Sequence, residues 1–200
     1  KVILVDAAHK LAEKIRISGG GRCNFTNRYA RAENFLSSNP HFCRSALARF
    51  TPLDFIALVE KHGIRYHEKK LGQLFCDDSS QQIIDMLQDE CQAVNVEWQI
   101  SSQIGQIEYL PGNAGVQKAG HKFLLTTERN ILETTSLVIA TGGLSIPQIG
   151  ASAFGYQVAN QFNIRVTPLR PALVGLTFPT EDFAGFKDIS GVAIDAEVSC

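Results

Sequence analysis

The densest group of chemically useful residues in this 200-residue chain is Ser18-Gly19-Gly20-Gly21-Arg22-Cys23-Asn24. Three consecutive glycines strip the side chains from the backbone, so its N–H groups can wrap an anionic or ribityl-type ligand closely. Arg22 adds a fork of donors suited to phosphate oxygens or to fixing a loop carbonyl. A flexible connector is the plain alternative, but connectors favour repeated Gly/Ser and do not end in Arg-Cys-Asn. Cys23 reads as a redox thiol if Arg22 depresses its pKa, and otherwise as a small buried side chain.

Asp6 follows the apolar run Val2–Val5 directly. A doubly wound α/β fold puts an acid there, at the carboxyl end of a buried strand, to accept hydrogen bonds from the ribose hydroxyls of a dinucleotide. Asp at a strand end also serves plain turn chemistry, so position alone leaves both roles open. A second glycine turn, Thr141-Gly142-Gly143, closes the apolar run Leu137–Ala140 and suits a backbone that must approach a ligand closely.

Other residues carry less. His62 and His67 have no second ligand at metal spacing and read as surface or capping groups. Trp98 and Tyr109 could stack on a base, though an aromatic on a sheet face is usually packing. Asp77-Asp78 reads as helix-start charge in preference to a catalytic pair.

These residues need elements to hold them. Val2–Val5 predicts a parallel strand, and a chain beginning inside such a strand predicts truncation, with the preceding βα unit and its phosphate turn missing. Thr51-Pro52-Leu53-Asp54 predicts a capped helix start, and Gly63 its end. Ile84, Leu87, Cys91 and Val94 recur at helical spacing after Asp78-Ser79-Ser80, which predicts a second amphipathic helix. From about 96 to 135 the pattern shortens to Val96–Ile100, Ile104–Leu110 and Lys122–Thr127, predicting an antiparallel meander. Leu137–Ala140 predicts a further buried strand, and residues 152–163 a helix with Val158 and Phe162 facing inward. Alternation from Val192 to Cys200 predicts a strand that runs into the end of the chain.

Composition bounds the class. Apolar residues make up 44% of the chain, and 19 Lys and Arg stand against 20 Asp and Glu, so no global field recruits nucleic acid or an anionic membrane. Residues 1–50 nevertheless hold nine basic residues against three acidic ones, which predicts an anion nearby. The five cysteines form no CxxC pair, which fits free thiols in a reducing cytoplasm and disfavours a zinc site. No apolar run approaches the roughly 18 residues of a membrane-spanning helix.

With both glycine strings in view, the chain resembles the HI0933-like, or BaiN-like, NAD(P)/FAD-dependent oxidoreductases. The resemblance is carried by Val2–Asp6, Ile17–Asn27, Gly72–Phe75, Leu137–Gly143 with Leu144–Pro147, and Gly155-Tyr156. It implies an α/β, Rossmann-like FAD-binding domain of the two-dinucleotide-domain flavoprotein type, with a β-meander and without its first βα unit. Residues 1–184 would be this partial domain, and 185–200 the start of an inserted, β-rich substrate domain. Asp6 would replace the more usual Glu at the adenosine ribose. Ser18, Gly19, Gly20, Gly21, Arg22 and Asn24 would line the pyrophosphate and ribityl part of FAD. Ile104 would offer backbone to the adenine, and Thr141, Gly142 and Gly143 would return to the cofactor. At Ala151–Phe154 the chain departs from the family's small-residue run with an acid near the flavin.

The resemblance implies a cytoplasmic flavoenzyme that takes hydride from NAD(P)H and reduces an unsaturated substrate. No residue stands out as the catalytic acid. The alternatives are dihydropyrimidine formation in ribosomal RNA, with RNA in place of a small molecule, and a non-catalytic flavin or nucleotide-binding redox module. An RNA-binding protein on a Rossmann-like scaffold without flavin is a further class. Without the first strand and phosphate turn, residues 1–200 alone should bind FAD weakly.

Overall fold

The computed structural model describes residues 1–112, 120–146 and 150–171. Strand β1 (Ile3–Val5) is followed by helix α1 (Glu13–Ile17), a tight 3-10 turn (Ser18–Gly21) and strand β2 (Asn24–Asn27). Helices α2 (Arg44–Arg49) and α3 (Pro52–Lys61) precede strands β3 (Tyr66–Glu68) and β4 (Gln73–Cys76) and helix α4 (Gln81–Ala93). Strands β5 (Glu97–Gln99), β6 (Ile104–Leu110), β7 (Lys122–Thr127) and β8 (Ile131–Thr134) lead to helix α5 (Phe154–Gln161).

The chain is mixed α/β. β1 pairs in parallel with β5, Leu4 opposite Trp98, and α4 enters β5 as the crossover between them. Between β1 and α4 an antiparallel sheet of order β2-β4-β3 is inserted, and after β5 comes the meander β6-β7-β8.

α3 begins as expected. The Thr51 hydroxyl accepts the Asp54 N–H at 3.2 Å and the Asp54 carboxylate accepts the Thr51 N–H at 2.7 Å, a reciprocal cap with Pro52 inside it. Gly63, at φ +66°, turns the chain out of the helix. α4 also forms, but its buried residues are Ile83, Ile84 and Met86, and Val94 lies 70% exposed beyond its end. The expected stripe is thus shifted toward the N-terminal half, where β2, β4 and α3 supply the wall.

Three sequence expectations are corrected. The 96–100 run is not a meander strand: Glu97–Gln99 pairs with β1, and the third meander strand is β8. Trp98 therefore stands in the parallel pair. Leu137–Ala140 joins no ladder among the described residues, and Val138 is 83% exposed. A short apolar run is compatible with strand, but strand needs a neighbour, and here Leu137 packs on the meander core and Ile139 lies beside Gly155 of α5 without any ladder among the described residues. The β1 residues are half-buried, not enclosed on both faces. The strand expected from Val192 and the domain expected from 185 lie outside the described residues.

Two cores result. Cys23, Val59, Ile64, Cys76, Ile83 and Met86 form the first, with Phe25 and Tyr66 packed edge to face on it at 5.5 Å. Ile107, Leu125 and Val158 form the second, where Phe123 meets Phe162 at 6.1 Å, so α5 faces inward as its periodicity predicts.

Candidate functional site

The glycine turn grows out of α1. The Ser18 hydroxyl closes that helix by donating to the Ile15 carbonyl at 2.8 Å. Gly19, Gly20 and Gly21 then take φ of +59°, +66° and +86°, a left-handed run that only glycine enters without strain. The turn is riveted from behind: Ser80 N–H donates to the Gly21 carbonyl at 2.8 Å, Cys76 N–H to the Arg22 carbonyl at 3.0 Å, and Cys23 N–H to the Ser18 carbonyl at 3.0 Å. Its two sides differ. A Cβ on Gly19 would stand 2.7 Å from the Phe75 ring, whereas one on Gly20 or Gly21 would meet nothing within 4 Å. A side chain would thus find open space at Gly20 and Gly21 and a blocked direction at Gly19.

Arg22 is exposed, and its guanidinium has no carboxylate partner among the described residues. Cys23 is 4% exposed beside Cys76 in the first core. Burial pushes the Cys23 thiol up against a lowering hydrogen bond from Ser18, and burial followed by the neighbouring Cys23 pushes Cys76 up to about 11. Cys23 is the buried side chain of the two readings, because a thiol held protonated is a poor nucleophile. With its side-chain amide oriented so that the nitrogen meets acceptors, Asn24 donates to the Leu74 and Thr26 carbonyls at 3.3 and 3.2 Å, at the β2–β4 junction.

Asp6 stands at the carboxyl end of β1. Its Oδ1 accepts the Ala8 N–H at 2.8 Å, which is turn chemistry, while its second oxygen has no hydrogen bond among the described residues. It also lines an apolar groove of about 490 Å3 bounded by Leu11, Leu87 and Trp98. Ser102 N–H donates to the Asp6 carbonyl at 3.0 Å, which carries the chain from Asp6 into Ile104 at the head of β6. Ser102 is 1% exposed and its hydroxyl oxygen has no partner among the described residues. A buried unpaired polar atom is costly unless something satisfies it. The sequence offers no signal for this residue, which sits in an unremarkable Ser-Ser pair.

The second glycine turn comes to the first through Lys14, whose Nζ donates to the Ser145 hydroxyl at 2.6 Å. Gly142 has φ +72°, and a Cβ on Gly143 would lie 2.8 Å from the Tyr156 hydroxyl. A Cβ on Gly155 would lie 3.1 Å from Thr141 Oγ1, so α5 packs directly against this turn. Asp6 thus follows β1, the Gly19–Arg22 turn follows α1, and Lys14 in the first turn of α1 bonds Ser145 just beyond the Thr141–Gly143 turn. Ile104 follows Ser102, which bonds Asp6, and the Asn24 backbone lies against the glycine turn, its nitrogen 2.9 Å from where a Gly19 Cβ would stand.

The chemistry of this set suits a dinucleotide: among the described residues it holds a carboxylate oxygen without a partner for hydroxyl donors, a side-chain-free turn beside a guanidinium without a carboxylate partner for phosphates, and a buried hydroxyl without a hydrogen bond. FAD fits these residues. The remaining candidates are occupied elsewhere. His62 meets Glu90 at 2.8 Å, His67 meets Asp77 at 2.8 Å, and Asp78 meets Arg65 at 3.4 Å. Among the described residues no three His, Cys, Asp or Glu side chains converge on a metal site, and no helix is long and apolar enough to cross a membrane.

The family described as the HI0933-like protein Rossmann domain matches residues 1–196. A ribosomal RNA dihydrouridine synthase of Escherichia coli is 48% identical over 199 residues, covering 100% of this chain and 48% of the relative. The protein of the same name from Haemophilus influenzae is 42% identical over 99% of the chain and 48% of the relative. A 3-dehydro-bile acid delta(4,6)-reductase of Clostridium scindens is 22% identical over 100% of the chain and 46% of the relative. The chain spans about half the length of the curated relatives it matches.

Proposed function

From the premise that this chain belongs to the HI0933-like Rossmann-domain family, we propose that it supplies the FAD-binding part of an enzyme that saturates the ring double bond of uridine in ribosomal RNA. Of the expected activities, the RNA alternative displaces reduction of a small unsaturated molecule as the leading reading. The observation that carries it is the 48% identity across the whole chain to a ribosomal RNA dihydrouridine synthase, against 22% to a bile acid reductase.

Residues 1–184 form the partial FAD-binding domain in this reading, with the inserted substrate domain beginning at about 185. The free oxygen of Asp6 accepts from the adenosine ribose hydroxyls, and Oδ1 stays with Ala8 to hold the carboxylate in place. The Gly20 and Gly21 amides and the Arg22 guanidinium take the pyrophosphate, while Ser18 and Gly19 fix the turn from its packed side. Backbone at Ile104 lies along the adenine. Thr141, Gly142 and Gly143 would also contact the cofactor, with Tyr156 packed against Gly143 and Lys14 bonded to the nearby Ser145. When bound, FAD supplies hydride drawn from NADH or NADPH, and a proton completes the saturation of the pyrimidine double bond.

The test uses the full-length protein and ribosomal RNA from cells lacking its gene. Flavin absorbance that bleaches anaerobically with NADH or NADPH, and dihydrouridine found by nucleoside mass spectrometry after RNA is added, is the expected result. Bleaching without dihydrouridine, but with turnover of a steroid enone, would move the assignment to the bile-acid-like branch. A protein that holds no flavin after reconstitution would sink both.

A further inference from the structure

At the opposite end of β2 from the glycine turn lies a second cavity, of about 540 Å3, within the range of ligand pockets. Arg28, Tyr29 and Arg31 line one side of it, and Arg44 of α2 lines another, with Glu33 as the acidic member. Its charge is poorly compensated. Glu33 reaches Arg44 only at 4.0 Å, with both side chains more than half exposed, a pairing that solvent screens. Arg31 has no carboxylate within ion-pair distance among the described residues, and Arg28 shares Glu68 at 3.7 Å.

The aromatic side chains here face water. Tyr29 is 58% exposed and Phe42 is 83% exposed. Tyr29 is nonetheless fixed: its N–H donates to Asn27 Oδ1 at 2.8 Å, and its ring edge lies so close to Gly72 that a Cβ there would be 2.5 Å from it. A fixed exposed ring among weakly compensated guanidinium forks forms the surface that single-stranded nucleic acid uses, with phosphates on the arginines and a splayed base on the ring.

The proposed reaction supplies the occupant. A pyrimidine whose ring faces must be reached by a reductant has to leave its stack, so the bases beside it are unstacked too and need a platform. We infer that the groove of Arg28, Tyr29, Arg31 and Arg44 holds a single-stranded loop of the RNA substrate, with one base on the Tyr29 ring and phosphates on the arginines. The inference rests on the ribosomal RNA reading and adds to it where on this chain the RNA lies.

The probe is a fluorescein-labelled RNA stem–loop with a uridine-containing loop. It is titrated with the full-length, FAD-loaded protein between about 50 and 200 mM salt. Arg31→Gln and Arg44→Gln should each lower the salt slope by about 0.7. Tyr29→Ala should weaken binding between roughly fivefold and 150-fold, and Tyr29→Phe should restore it, because stacking needs the ring and not the hydroxyl. Each variant should keep the wild-type flavin spectrum and its reduction by the nicotinamide nucleotide, which separates lost contact from lost fold. Wild-type slopes and affinities in all variants, while the wild type still forms dihydrouridine, would overturn this surface and leave the function standing. A wild type that neither binds the RNA nor forms dihydrouridine would remove both. Unchanged RNA binding with lost binding of polyglutamate would give the groove to an acidic polypeptide and overturn the RNA assignment.

Discussion

Gly19 and Gly20 share a left-handed backbone and differ in what a methyl group would meet. Alanine at either pays about 1–2 kcal/mol for a positive φ. At Gly19 it also pays about 1–3 kcal/mol for overpacking against Phe75. Gly19→Ala should therefore lower the melting temperature of the cofactor-free full-length protein well beyond Gly20→Ala. Gly20→Ala should instead weaken FAD binding about tenfold, by placing a methyl on the open face. Equal melting shifts with unchanged FAD affinity would show that the open face is not the ligand's. Asp6→Asn isolates the second carboxylate function, since the amide oxygen can still accept the Ala8 N–H. It should leave the melting curve of the cofactor-free protein in place and weaken FAD by about 1–3 kcal/mol, the worth of a hydrogen bond to a charged group, read by fluorescence titration. A melting loss with normal FAD affinity would return Asp6 to turn chemistry alone.

At the scale of elements, the capped start of α3 joins sequence, structure and pH dependence. Removing the cap by Thr51→Ala should cost about 0.5–2 kcal/mol, measured by denaturant unfolding. The Thr51 hydroxyl first, and its backbone N–H second, hold the Asp54 carboxyl below the ordinary range. A depressed folded pKa contributes stability that is full above the unfolded value, 3.8, and is lost as pH falls through the folded value. The wild type should thus lose this contribution below about pH 4, and Thr51→Ala should show a shallower acid limb. An identical acid limb in the two proteins would remove Asp54 from the linkage. This helix was legible because capping is local, settled by Thr51, Pro52 and Asp54 within one turn. Leu137–Ala140 was not, because a strand needs a neighbour that no local run specifies. The β2-β4-β3 sheet was hidden for the same reason: Asn24–Asn27 and Gln73–Cys76 are four residues each and meet across almost 50 positions of intervening chain. At the site, the glycine strings stood out through composition, whereas Ser102 and Lys14 matter only through where the fold puts them.

For the whole molecule, the two cores raise the question of whether they open together. The first is built from β2, β4, α3 and α4, and the second from the meander and α5. Among the described residues they are joined by the hydrogen bonds from Ser102 to Asp6 and from Ser101 to Ala8, by those of His9 and Arg129 to Ser101, and by that from Lys14 to Ser145. Leu125 is 4% exposed in the second core, so Leu125→Ala should cost about 2–5 kcal/mol there. In hydrogen exchange on the full-length protein without FAD, protection should fall across 104–110, 122–127 and 154–161 and hold across 52–61 and 81–93. FAD reaching both glycine turns would bind the two cores into one unit, because the first turn is bonded to Cys76 and Ser80 beside the first core and Thr141 and Gly143 pack on the helix of the second. Adding it should recover protection in the variant's meander and raise protection along 81–93 in the same titration. Uniform loss across both cores without FAD would mean that the junction already makes a single cooperative unit, and recovery confined to one core would mean that the cofactor touches only one of the two turns.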